Sequence, residues 1–160
     1  MKISQTVLGL LRISMGWLML WAFIDKLFGL GMGTALEKAW LNGGSPTSGF
    51  LSNVDGPFSA MFNAMAGVAI FDWLFMLGLC LIGLALILGV GVRVAGYSGA
   101  LMMLLMYMGS LPLSHNPIVD DHVINFFVFL YLASSGAGQY LGFGSWWKKS
   151  SLVKTHSWLE

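Results

Sequence analysis

Four stretches of the chain, residues 7–30, 73–92, 94–113 and 122–141, each run for about twenty mostly apolar residues. A helix rises about 1.5 Å per residue, so each is long enough to cross about 30 Å of hydrocarbon. Charge tells the same story. Asp, Glu, Lys and Arg make up 9% of the residues and 57% are hydrophobic, with a mean hydropathy of +0.78, whereas soluble domains carry about 25% charge. So few charges cannot cover the surface of a water-soluble fold of 160 residues. The expected architecture is an all-α integral membrane protein, a four-transmembrane-helix bundle forming a single domain over residues 1–160. The 14% aromatic content excludes disorder. A net charge of +1 lacks the basic face of a nucleic-acid binder.

The first span resembles a secretory signal, since Lys2 precedes an apolar run. It is long, however, carries Arg12, Asp25 and Lys26, and lacks a small-x-small cleavage site, so it reads as a retained helix. Between spans one and two lies a long loop. Its residues 34–41, TALEKAWL, suggest a short amphipathic helix with Thr34 as N-cap and Glu37 completing a capping box. Residues 42–56 are rich in Gly, Ser and Pro and read as loop. Pro57 suits the first turn of a second short helix over 57–70, lying in the interface or re-entering the bundle. A tight turn at 89–93 joins spans two and three as a hairpin, and the segment PLSHNPIVDD joins three to four.

Four spans put both termini on one side, together with Lys2, Arg12, Arg93, Lys148, Lys149 and Lys154; Lys26 and Lys38 fall on the other. The excess of basic residues orients the termini to the cytoplasm of a plasma membrane and the long loop outward. Trp146, Trp147, Lys148 and Lys149 read as an interfacial anchor.

Ionisable residues within spans are candidates for function. Arg12 either snorkels to the interface or faces the bundle. Lys26, fourteen residues on, falls about 40° from the same helical face, and Gly16 on that stripe allows a neighbouring helix to approach. At the other end of the chain, His115, Asn116, Asp120, Asp121, His122 and Asn125 cluster in sequence. Asp120 or Asp121 can N-cap the fourth helix. His122, Asn125, Phe126, Phe129 and Ala133 share one helical face. An imidazole and an amide above aromatic rings suit a lipophilic ring bearing carbonyls, such as quinone, with His122 moving protons near neutral pH and Asp121 behind it. The plainer alternative makes His122 an interhelical hydrogen-bonding group and the Phe residues packing.

No haem, flavin or metal motif is evident. His115 and His122 lie at one end of the bundle and cannot bracket a haem from opposing helices unaided. Cys80 stands alone, which excludes an internal disulfide or a CxxC redox pair; it reads as a small packing residue.

Arg12-x3-Gly16, Asp25-Lys26-Leu27, Gly43-Gly44-Ser45-Pro46-x2-Gly49-Phe50-Leu51, Asn116-Pro117 with Asp121-His122, and Gly136-x-Gly138-x2-Leu141-Gly142 together resemble the DoxX/DoxD family of small four-helix membrane proteins. The GGSP loop places the likeness nearer the DoxD branch. The resemblance implies a subunit of a respiratory enzyme, notably the large subunit of thiosulfate:quinone oxidoreductase, which joins two thiosulfates to tetrathionate and delivers electrons to quinone. It also implies a second membrane subunit. On this reading His122, Asp121 and Lys26 serve the chemistry, Lys26 attracting the anionic donor, and Arg12, Asn125, Phe126, Phe129 and His115 line the quinone site. Eleven Met residues and abundant Gly fit equally an accessory subunit packed in a larger respiratory or terminal oxidase complex. A transporter ranks lower, since spans two and three offer few polar residues near mid-bilayer.

Overall fold

A computed structural model describes residues 2–159, and among these every regular element is helical. Three helices are long and apolar enough to cross a membrane: α1 (Ile3–Phe28), α4 (Ala69–Leu88) and α5 (Val92–Gly109). Between α1 and α4 come the short helices α2 (Ser48–Leu51) and α3 (Ser59–Met65). Helix α6 (Asp121–Ser134) follows α5, and two single-turn helices, α7 (Gly144–Trp147) and α8 (Ser151–Thr155), lead to the C-terminus.

Glycine sets how closely the long helices meet. Helices α1 and α4 run antiparallel, and a Cβ on Gly16 would lie 2.9 Å from the Ile87 backbone nitrogen. One on Gly83 would lie 2.8 Å from the Leu20 nitrogen, so the two backbones nearly touch. The α5–α6 pair uses the same device: Gly99 leaves room for the Phe129 ring, and Gly96 for Ala133. Such small-residue contacts let dispersion forces hold helices together where lipid removes the hydrophobic drive. Met15 and Met19 of α1, Met76 and Leu86 of α4, Met103 of α5 and Phe129 of α6 fill a common core. Large apolar side chains such as Leu10, Trp17, Leu74, Leu81, Leu101, Ile124 and Phe127 lie on the outer surface, as contact with a bilayer requires.

Three segments differ from expectation. Residues 34–41 form no amphipathic helix; they make two 3-10 turns, Leu36–Lys38 and Trp40–Asn42, and Thr34 caps neither. Gly43, in a left-handed conformation, ends the second turn before a longer helix can nucleate. The stretch 57–70 divides, with α3 stopping at Met65 and α4 beginning at Ala69, four residues before the expected start of the second span. The fourth apolar stretch differs most. Helix α6 has 14 residues, about 21 Å of rise, short of a full hydrocarbon crossing. Gly136 turns left-handed behind Ser134 and Ser135, and the chain continues through a 3-10 turn, Ala137–Gln139, into extended backbone at Tyr140. Apolarity marked this segment as buried at membrane depth, but the Ser-Ser-Gly-x-Gly sequence stops the helix.

Candidate functional site

The polar side chains gather at the two ends of the bundle. At the end formed by the start of α1, the turn 89–91 and the segment after α6, Arg12 is 0% exposed. Its Nη1 donates to the Leu86 carbonyl and, at 3.2 Å, to that of Ile87. Its Nη2 donates to Tyr140 at 3.1 Å and Leu141 at 3.0 Å. These are the C-terminal carbonyls of α4 and the carbonyls of the non-helical chain beyond α6. Buried backbone carbonyls must find partners inside the protein, and the guanidinium supplies them. The cation also sits at the negative end of the α4 dipole. Glycine makes the space: a Cβ on Gly89 would lie 2.6 Å from Nη1, and one on Gly142 would lie 2.8 Å from Nη2. Arg12 therefore faces the interior rather than snorkelling, and its terminal nitrogens are occupied. Its buried Nε has no partner among the described residues.

At the opposite end, Asp25 is buried and accepts from the backbone amides of Met32 at 3.3 Å and Gly33 at 3.0 Å. The turn that follows α1 claims this carboxylate. Lys26 is half-buried, with Nζ 5.9 Å from the centre of the Phe75 ring. Among the described residues its ammonium makes neither a hydrogen bond nor an ion pair. Asp72, in the first turn of α4, is a residue that sequence reasoning missed. Its Oδ1 accepts from the Ser45 hydroxyl at 2.8 Å, the Thr47 hydroxyl at 2.6 Å and the Thr47 amide at 3.1 Å. The GGSP loop is thereby clasped onto α4, and Trp40 packs edge-on against Trp73 beside it, 4.6 Å between ring centres. The available signal was a carboxylate at the edge of an apolar span, which is costly unless partnered.

Asp120 is the N-cap of α6, its Oδ1 accepting from the Val123 amide at 3.1 Å. Its Oδ2 lies 2.6 Å from His122 Nδ1. Asp120, not Asp121, thus stands behind the imidazole; Asp121 is exposed. The geometry follows from the cap, since an N-cap side chain folds back over the first turn and meets a residue two positions on. His122 and Asp120 are 25% and 22% exposed. Burial acts to raise the Asp120 pKa, but the hydrogen bonds from the His122 ring and the Val123 amide, with the attraction of the imidazole, outweigh it and hold the carboxyl below its usual range.

Asn125 and Phe126 are half-buried one turn along α6 from His122, and Phe126 meets Phe127 edge-on at 5.2 Å. Phe129 is 0% exposed, its ring set against Gly99; it serves helix packing and has no face left for a ligand. His115 is exposed, its Nδ1 2.7 Å from the Ser114 hydroxyl. The structure therefore brings His122, Asp120, Asn125 and Phe126 together on the first two turns of α6. It leaves His115 and Asp121 at the solvent-facing edge and sends Arg12 to the other end. No group of three metal-ligating side chains occurs among the described residues. A cavity of about 230 Å³ lies at the Arg12 end of the bundle, away from His122.

No protein-family model, curated protein or solved structure matches the chain.

Proposed function

We propose that the chain is a membrane subunit of a quinone-linked respiratory oxidoreductase of the DoxX/DoxD kind, taking electrons from thiosulfate or another small sulfur donor. In this reading α6 and the turn after it complete a fourth crossing, and both termini lie in the cytoplasm of a plasma membrane. The observation that carries it is the 2.6 Å contact between His122 Nδ1 and Asp120 Oδ2. That contact orients the imidazole and leaves Nε2 without a hydrogen bond among the described residues. The Asn125 amide, one helical turn away, is a second donor, and the partly exposed Phe126 ring offers an apolar surface beneath. These groups fit the carbonyl edge of a quinone; Phe129 does not contribute.

A bound quinone supplies the two-electron acceptor. His122 Nε2 delivers or accepts the proton at the carbonyl oxygen, and Asp120 holds the ring in one orientation. Asn125 fixes the carbonyl position. Lys26, with no carboxylate partner among the described residues, draws an anionic donor toward the same end of the bundle. Two thiosulfates joined to tetrathionate release two electrons, which balances reduction of one quinone to quinol. A partner subunit brings the sulfur chemistry, for which this chain offers no nucleophile beside His122.

The test is turnover of the chain with its complete partner set, given thiosulfate and a short-chain quinone. We expect thiosulfate-dependent quinone reduction, with H122A lowering kcat at least tenfold, within the range of a general acid–base group. Absence of turnover in the complete assembly would discard the enzymatic reading, and an unchanged kcat for H122A would discard the proton role. A second reading, an accessory subunit without chemistry, is favoured by the adaptable, glycine-lined helix contacts and by a cavity of about 230 Å³ at the end remote from His122. Copurification with a larger oxidase and no retained quinone is its expected outcome.

A further inference from the structure

Interior charge in this bundle is confined to its ends. The buried polar and charged side chains among the described residues are Arg12, Asp25, Thr47 and Asp72. Asp25 near the end of α1, and Asp72 at the start of α4 with Thr47 bonded to it, lie at the end that carries His122. Arg12 lies at the other end, on the same helix as Asp25, and the positions separating them span about 20 Å of helical rise. Met15, Met19, Met76, Leu79, Met103 and Phe129, all buried, fill the interior of the bundle. We propose that His122 exchanges protons with one aqueous phase only, the one opposite both chain termini. Quinone reduction there then takes its protons from the side on which the sulfur donor gives up its electrons, and moves no charge across the membrane. The inference rests on the quinone reading of His122 and adds the side from which its protons come.

Access on the near side is short. His122 and Asp120 are partly exposed, and residues 114–119, which lead into them, are exposed throughout. Asp121 is exposed beside them. An exposed carboxylate stands in water or among headgroups rather than in hydrocarbon, where ionised groups are costly. Asp120 holds Nδ1 of His122 at 2.6 Å, so Nε2 is the nitrogen that passes the proton. On the far side no relay is built. Proton transfer needs groups that donate and accept within hydrogen-bond reach. Along α6 the next residues to face the interior are Phe129 and Leu132, both buried, with the Phe129 ring against Gly99 of α5. The cavity of about 230 Å³ begins at Leu132 and Ala133, beyond Phe129. Cys80 on α4 is half-buried, and one thiol does not bridge about 20 Å. Arg12 does not give up its proton, and its terminal nitrogens are held by four carbonyls. The chemistry closes on one side. Two thiosulfate dianions give one tetrathionate dianion and two electrons, and quinone takes those electrons with two protons from the same phase to give neutral quinol.

The experiment places the chain, with its complete partner set, in closed phosphatidylcholine vesicles with a short-chain quinone. Thiosulfate is added outside only, which selects molecules whose donor side faces out. External pH in weak buffer and a potential-sensitive dye are followed together with quinone reduction. The outer medium should lose two protons for each quinone reduced, with no dye response and no effect of a protonophore. H122Q should slow quinone reduction and proton uptake by the same factor, about tenfold or more, and leave their ratio unchanged. External alkalinisation that appears only after the protonophore, or a potential, negative inside, that builds with turnover, would overturn the inference while sparing the quinone reading. Absence of thiosulfate-dependent quinone reduction would discard both. A second measurement needs no turnover. Under an imposed potassium diffusion potential, vesicles holding the chain alone should pass protons no faster than protein-free vesicles. A flux above that background would reveal a path through the bundle and overturn the inference as well.

Discussion

The two ends of the bundle handle buried charge in opposite ways. At one, Arg12 is wholly enclosed and both terminal nitrogens are committed to four backbone carbonyls. At the other, His122 and Asp120 face each other while still a quarter or so exposed, and the Lys26 ammonium has only an aromatic ring beside it. A buried ion whose every contact is backbone is holding a fold together. An oriented imidazole with one nitrogen unengaged retains capacity for another molecule. The contrast separates stabilising charge from charge available for chemistry, and substitutions should divide along the same line.

The largest effect belongs to Arg12. R12M would leave the carbonyls of Leu86, Ile87, Tyr140 and Leu141 without donors in a water-poor interior, at about 1–3 kcal/mol for each unsatisfied group that cannot reach water. We expect a loss on the order of 4 kcal/mol or more, read as collapse of the folded fraction in detergent extracts. An R12M protein that melts like wild type would show that the end opens to water and erase the contrast. Next come the helix crossings. G83L must push against the Leu20 backbone, 2.8 Å from the position of its Cβ, and overpacking of this kind costs about 1–3 kcal/mol. Thermal unfolding of G83L should show it, whereas L81A on the exposed surface of the same helix should change little.

Asp72 lies between the two extremes. D72N keeps one oxygen but loses the charge that strengthens three hydrogen bonds to Ser45 and Thr47, and should cost about 1–2 kcal/mol. The effect should be local, so hydrogen exchange of residues 45–51 is the measurement. Faster exchange there with an unchanged core confirms a clasp, and uniform acceleration would show that the loop is integral to the bundle.

How much of this was legible in the sequence follows from what each feature depends on. Hydrophobicity and length suffice for α1, α4 and α5, because a bilayer demands both. The termination of α6 at Ser134 was not legible from hydropathy, since Ala137, Tyr140 and Leu141 continue the apolar stretch beyond a left-handed Gly136 that breaks the helix; the Ser-Ser-Gly run was the available cue. The inward position of Arg12 followed in part from its stripe with Gly16, but its carbonyl partners come from residues 74 to 129 positions away and no local pattern encodes them. Pairing of His122 with Asp120 rather than Asp121 depends on which carboxylate becomes the N-cap. Sequence alone leaves both open, because each can precede a helical first turn. Asp72 falls between the expected short helix over 57–70 and the second span, and no local pattern shows that Ser45 and Thr47 fold back onto it.

The smallest expected effect tests the exposed side of the contrast. Asp120 titrates below its usual range in the folded chain, so near that range the unfolded chain binds more protons, and stability rises with pH across the interval. The contribution is fully present above the ordinary carboxylate pKa of about 3.9 and is lost as pH falls through the lower, folded value. The pair remains partly exposed, so screening should hold it to a few tenths of a kcal/mol. Comparing wild type with D120N at pH 3–6 isolates the term, because the amide removes the titration while keeping an acceptor for the Val123 amide. D120N should therefore unfold almost as wild type does at pH 3 and fall slightly behind by pH 6, and the quinone reduction proposed above should drop with the loss of an oriented imidazole. A stability loss of several kcal/mol in D120N would make the His122 end as structural as the Arg12 end. An unchanged turnover would detach Asp120 from the chemistry altogether.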